Sequence, residues 1–293
     1  MIVAFPAGGA SDLVGRVMGK GMGENLNQNV IVDNVVGAGG SIGVNKLVNA
    51  PADGYTLIAG SPLELILAPL GLAAAKNKPE DVRMIAMAGR TSMVLVTRKD
   101  LGVNTFEEFV ALAKKSPKPL SYASTGVGSL YHLMGEKFSA MTGAQTLHVP
   151  FNGLAPMMTN LVGGQVDFAF APIAGPVPGF VDNASIKALG VSATEPVARL
   201  PKVALIRSTK GFEDFVFSIW AGVHTSAKVP DAAAAILHKS AYVALANPEV
   251  RKSLEATGMM LSAPMSLAEL AVFYAKETAN YQAIAKSINL QAQ

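Results

Sequence analysis

Twice in this chain an apolar stretch that reads as a β-strand runs into a glycine-centred turn and then into a helical pattern. The first turn is Phe5-Pro6-Ala7-Gly8-Gly9-Ala10-Ser11-Asp12 and the second is Ser124-Thr125-Gly126-Val127-Gly128-Ser129. A strand that ends this way aims backbone N–H groups outward from a helix N-terminus, which is a preformed site for an anion. Ser11 or Asp12 in the first turn, and Ser129 in the second, are the expected helix caps. Two such turns on separate parts of one chain suggest a cleft that grips an acid from both sides.

The rest of the composition narrows the possibilities. With 293 residues, 50% of them hydrophobic and 15% charged, the chain can build two compact domains and is not a disordered segment. It has no cysteine, which excludes disulfides and thiolate metal sites. Its four histidines, His132, His148, His224 and His238, show no metal-ligand spacing, so neither a metal nor a cofactor is expected. The net charge of +3 comes from scattered Lys and Arg, which argues against nucleic-acid binding. The longest apolar stretch, Leu65 to Ala75, contains Pro69 and Gly71 and is too short to cross a membrane. Met1 leads directly into the strand-like Ile2-Val3-Ala4-Phe5. No export signal is therefore visible, and either a leader has been removed or the protein is cytoplasmic.

Strand and helix patterns alternate. The apolar periodicity predicts strands at Ile2–Phe5, Val30–Val35, Thr56–Ala59, Val82–Ala88, Met93–Thr97, Leu120–Ala123, Leu147–Phe151, Val166–Phe170, Ile186–Val191 and Phe215–Ala221. It predicts helices at Asp12–Leu26, Phe106–Lys115, Leu130–Met141, Ala155–Val162, Ala232–Ala246, Glu249–Thr257 and from Leu267 onward. Such a βα alternation indicates an open α/β sheet. Gly15, Gly19 and Gly23 share one face of the first helix, as close packing against a sheet requires. Gly37-Ala38-Gly39-Gly40-Ser41-Ile42-Gly43 follows a strand like a dinucleotide fingerprint, but the third glycine of that pattern would fall on Ile42. A structural turn is expected there instead. No G-x-S-x-G elbow accompanies Ser129 and His132, so a serine nucleophile is not expected.

In order along nearly the whole length, these motifs resemble the Bug (TctC-like) family of extracytoplasmic solute-binding proteins, which serve tripartite tricarboxylate transporters. The resemblance rests on Phe5-Pro6-Ala7-Gly8-Gly9 with Asp12, Val32-Asp33-Asn34 before the glycine run at 37–43, and Asp53-Gly54-Tyr55-Thr56-Leu57. It continues in Gly126-Val127-Gly128-Ser129 with His132-Leu133, Val149-Pro150-Phe151 with Gly153 and Pro156, and Gly163-Gly164-Gln165-Val166-Asp167. Leu200-Pro201, Trp220 and Asn247-Pro248-Glu249-Val250-Arg251 extend it toward the end. The resemblance implies an α/β, two-domain, periplasmic-binding-protein-like (Venus-flytrap) fold with the ligand cleft between domains. Domain 1 would comprise residues 1–100 and 221–293, and domain 2, inserted in it, residues 101–220. It also implies a periplasmic, monomeric, non-catalytic protein that captures a small organic carboxylate and presents it to membrane permease subunits.

The candidate ligand-binding residues are Phe5, Ala7, Gly8, Gly9, Ser11, Ser61, Ser124, Thr125, Gly128, Ser129, His132, Asn152, Ala171 and Pro172. Asp12 reads as scaffold, because its charge would repel a bound carboxylate. Many relatives carry an acidic residue shortly after the strand that ends near Phe170. If Ala171 takes that place, the resemblance implies a dicarboxylate or a longer apolar or aromatic acid rather than an amino acid. The alternatives are an α/β enzyme acting on a small anionic or nucleotide substrate, and a ligand sensor for a receptor kinase.

Overall fold

The structure, a computed structural model, describes residues 1–151, 153–287 and 290. The side chains of Ala10 and Ser287 lie outside that description, as does all of Asn152. In chain order the elements are β1 (Ile2–Val3), α1 (Ala10–Leu26), β2 (Asp33–Asn34), α2 (Ser41–Asn49), β3 (Ile58–Gly60), α3 (Ala68–Gly71) and β4 (Val82–Arg98). Then come α4 (Phe106–Lys115), β5 (Leu120–Ser124), α5 (Leu130–Thr142), β6 (Thr146–Pro150), α6 (Leu154–Val162), β7 (Phe168–Pro172), α7 (Val177–Asp182) and β8 (Ile186–Ser192). The last are β9 (Ser218–Ser226), α8 (Asp231–Ala246), α9 (Pro248–Glu255), β10 (Met260–Leu261) and α10 (Leu267–Ser287). The chain divides into two compact units, Met1–Arg90 with Trp220–Gln293, and Thr91–Ile219.

In the first unit β1 lies between β2 and β3, parallel to both, and β3 pairs antiparallel with β9. The core joins Val3, Val14, Met18, Met22 and Ala59 to Ala241, Ala244 and Leu254 of α8 and α9. α1 approaches the sheet closely. A Cβ on Gly15 would stand 2.6 Å from Val3 Cγ2, so only glycine lets the helix sit this near the strand.

In the second unit β5 lies between β6 and β7, parallel to both. β7 continues antiparallel into β4, which also pairs with β8. Side chains alternate across this sheet. Ala169 and Ala171 join Val94, Met157, Leu161 and Val177 on one side. Phe168 and Phe170 join an aromatic cluster with Phe109, Phe138 and Phe215, at centroid spacings such as 5.0 Å (Phe109–Phe168) and 5.3 Å (Phe170–Phe215). The first of these pairs is edge-on and the second tilted, and both spacings lie in the range where aromatic rings pack well.

Several local expectations change. α1 begins at Ala10 with Gly9 as its cap and no side-chain cap bond, so neither Ser11 nor Asp12 caps it. The strands expected at Val82–Ala88 and Met93–Thr97 are one strand, β4. The segment expected as a turn at 37–43 contains a left-handed run at Gly37, Ala38, Gly39 and Gly40, and from Ser41 it is helix α2.

Candidate functional site

Each unit gathers its candidate residues at the carboxyl ends of parallel strands, where open α/β sheets bind ligands. In the first unit, β1 runs out into Phe5–Gly9, β2 into the 37–40 run and β3 into Ser61. In the second, β5 runs out into Ser124–Ser129, β6 into Pro150–Phe151 and β7 into Pro172. The Phe151 N–H donates to the Ser124 carbonyl (2.9 Å), which ties two of these exits together.

The first turn is built around Asp12. Gly8 sits at φ +84°, in the left-handed region that favours glycine. Its N–H donates to Asp12 Oδ2 (2.9 Å), which also accepts from Arg16 Nε (2.9 Å). Asn34 Nδ2 donates to Asp12 Oδ1 and to the Phe5 carbonyl, both at 3.0 Å. Arg16, the Gly8 amide and Asn34 together hold the Asp12 carboxyl down at about 2. The Gly8 amide, expected to face a ligand, is therefore committed to Asp12, and Arg16 offsets the charge that would repel an acid. Ala7 and Gly9 are exposed, and Phe5 and Ser11 are half-buried. The first N–H groups of a helix, here including those of Ser11 and Asp12, have no intrahelical acceptor.

Asp12→Ala should cost about 2 kcal/mol, the scale of a charge-assisted hydrogen bond together with the unpaired donors left behind. Thermal unfolding measures it. A change below about 0.5 kcal/mol, the size of a neutral surface substitution, would mean that Asp12 does not hold the turn.

The second turn is likewise satisfied from within. Ser124 Oγ accepts the Gly126 N–H (3.0 Å), reaches the Gly126 carbonyl (3.1 Å) and lies 2.6 Å from His148 Nε2. The Gly128 N–H donates to His132 Nδ1 (3.1 Å). Ser129 caps α5, accepting the His132 N–H at 3.3 Å. That leaves the Leu130 and Tyr131 amides of α5 without helical acceptors, with the half-buried Thr125 alongside. Ser124 is fully buried and its oxygen is shared three ways. Among the described residues the carboxylate beside the rings is Glu136, which lies 3.9 Å from His132 Nε2 and accepts the Tyr122 hydroxyl. This arrangement holds the shape of the loop.

Ser61, Ala171 and Pro172 reach the right edges but are occupied. Ser61 gives both its N–H and its hydroxyl to Glu64, at 2.6 Å each. Ala171 and Pro172 are buried, and the Ala171 methyl belongs to the core beside Val94. An acidic side chain at 171 would sit in that core, so Ala171 does not carry the ligand-specificity argument placed on it. Asn152 lies outside the described residues.

Sequence reasoning missed Arg16, Asn34, Glu64 and His148. The Ser61-x-x-Glu64 spacing is a capping-box signal that could have found Glu64. Arg16 stands four residues after Asp12 on one helix face, a local spacing that could have found it, whereas Asn34 and His148 act across 22 and 24 residues of chain with no local signal. Among the described residues no group of His, Asp and Glu could hold a metal ion, and no helix is long and apolar enough to cross a membrane.

Comparison with known proteins bears directly on this geometry. The family described as tripartite tricarboxylate transporter family receptor (TctC) matches residues 14–290. The protein BugT of Bordetella pertussis is 33% identical over 231 residues, covering 76% of this chain and 68% of BugT. The solved periplasmic binding protein BugD superposes with a TM-score of 0.83 at 26% identity, covering 100% of this chain and 98% of its own. An R. palustris protein solved with adipate has the same fold, with a TM-score of 0.86 at 24% identity, covering 100% of this chain and 97% of its own.

Proposed function

The chain belongs to the tripartite tricarboxylate transporter receptor (TctC) family, and on that premise we propose that it is a periplasmic solute-binding protein that captures a small dicarboxylate. The reading is supported most by one observation. Each unit ends a parallel strand in a glycine turn whose Gly8 amide, or Gly126 and Gly128 amides, donate to side chains of the same unit, while the first N–H groups of the helix behind it have no helical acceptor. Donors fixed before the ligand arrives need no reorganisation, and a carboxylate at either helix N-terminus meets a favourable dipole. A diacid such as adipate, seen in the R. palustris relative, offers one carboxylate for this grip and an apolar chain beyond it. In this reading the captured acid passes unchanged to the permease subunits of the transporter.

A thermal-shift panel of mono- and dicarboxylates, with adipate included, tests the proposal. A ligand at ~100 times its dissociation constant adds roughly 2.7 kcal/mol of stability. Stabilisation by at least one dicarboxylate, which is recovered chemically intact, is the expected result. No response to any acid would refute carboxylate capture, and turnover of the acid would point to an enzyme instead.

A further inference from the structure

The second glycine turn is anchored by two stacked histidines. His132, in the first turn of α5, accepts the Gly128 N–H at Nδ1. A ring nitrogen that accepts carries no proton, so the neutral ring holds its hydrogen on Nε2, toward Glu136 Oε1 at 3.9 Å. His148 comes from β6 and lies against it with ring centroids 4.3 Å apart, while also stacking on Tyr122 at 4.9 Å. The hydrogen count around Ser124 closes in one way. His148 donates from Nε2 to Ser124 Oγ, which accepts the Gly126 amide as well and donates to the Gly126 carbonyl.

We propose that neutral His132 is the positioning residue that sets this turn for a carboxylate, and that capture is therefore lost in acid. The inference rests on the carboxylate-binding reading above. A second proton on His132 lands on Nδ1 and faces the Gly128 N–H, donor against donor. Gly128 is held at φ +77°; without that anchor the Ser124–Gly126 bonds and the Ser129 N–H to the Gly126 carbonyl (3.2 Å) still hold the start of the turn, but the Gly128 amide itself loses its acceptor. Protonation of His148 breaks no bond, because its Nε2 already donates. The polar groups that meet the ring pair among the described residues are Glu136 from α5, His148 from β6, and Tyr122 and Ser124 from β5. Glu136 favours a cation, but the Tyr122 hydroxyl donates to it (2.5 Å) and draws on its charge. Burial outweighs it and holds His132 below its ordinary value. His148 is pushed down to about 4, by burial first and by His132 next.

The test follows the ring and the turn together. In ¹⁵N-labelled protein taken from pH 8 to pH 5, the His132 ring should start as the Nε2–H form with the Gly128 amide coupled to Nδ1. Ring and amide should then change at a single midpoint. Adipate affinity, measured by calorimetry over the same range, should fall about tenfold for each pH unit below that midpoint, relative to His132→Asn. The asparagine carbonyl can take the place of Nδ1 as an acceptor but does not titrate, and protonation of adipate itself cancels between the two proteins. His132→Ala should lose affinity at every pH, and His132→Asn should bind more tightly at pH 8 than His132→Ala. A proton on Nδ1 at pH 8, a Gly128 amide indifferent to the ring, or wild-type affinity that tracks His132→Asn into acid would overturn the inference. Absence of any acid binding at pH 8 would instead overturn the carboxylate reading, while the spectra would still decide whether His132 sets the turn.

Discussion

Taking the pH from 7 to 3 should remove on the order of 5 kcal/mol of stability through one side chain, His224, and His224→Leu should abolish that loss. His224 lies on β9 opposite Ile58 of β3. It is fully buried, with Trp220 at 5.5 Å and Tyr274 at 5.9 Å between ring centroids. Neither ring nitrogen makes a well-formed hydrogen bond among the described residues, and a Cβ on Gly60 would stand 2.9 Å from Nδ1. Burial pushes the ring from 6.5 down to about 3, and the Gly222 backbone opposes this only weakly. The ring is therefore neutral when folded and charged when unfolded over that whole interval. Its contribution is fully present above pH 6.5 and is lost as the pH falls through about 3, at about 1.4 kcal/mol per pH unit. A loss of this size approaches the whole stability of many domains. Urea unfolding at successive pH values, read through the single tryptophan Trp220, measures it. The histidines of the second unit contribute equally to wild type and variant, so the difference in slope belongs to His224. Equal slopes would mean that water or a partner reaches the ring.

What could be read from the sequence was what neighbours in the chain decide. Helix α4 lies where expected because Thr105 and Glu108 form their capping contacts within one turn. Helix α5 begins after Ser129 for the same reason. Both glycine turns were visible because left-handed backbone requires that residue locally. β4 looked like two strands because Gly89 and Arg90 interrupt its apolar run. Yet Gly89 continues the ladder opposite Leu261, where a side chain would collide with the Met260 carbonyl. The occupancy of the turns was hidden for a different reason. Which amides stay free depends on Asp12 meeting Asn34 and on Ser124 meeting His148, pairings that only the register of parallel strands creates. Motifs placed the carboxyl-end edges, but they did not reveal that Gly8, Ser61 and Gly128 would spend their donors inside the protein.

Glu64→Gln should stabilise the protein by on the order of 3 kcal/mol at pH 8 and change little at pH 4.5. Glu64 opens the one-turn π-helical segment Leu63–Leu67 with its carboxyl group fully buried. It accepts from the Ser61 N–H and hydroxyl, and among the described residues no cation pairs with it. A Cβ on Gly40 would also collide with the Glu64 Cβ, which stands 2.5 Å from that position, so the left-handed run before α2 packs tightly over it. Burial raises the carboxyl from 4.5 to about 7, against the Ser61 bonds that lower it. A group raised in the folded state gives its full stability below its unfolded value and loses it as the pH rises through the folded one, here between 4.5 and 7. Glutamine keeps an acceptor for the Ser61 amide, offers an N–H to its hydroxyl and carries no charge to bury. Unfolding curves of both proteins at pH 4.5, 6 and 8 should therefore diverge as the pH rises. Parallel curves would mean that the carboxylate is solvated when charged, and hence that the Ser61 edge opens to water and to ligand.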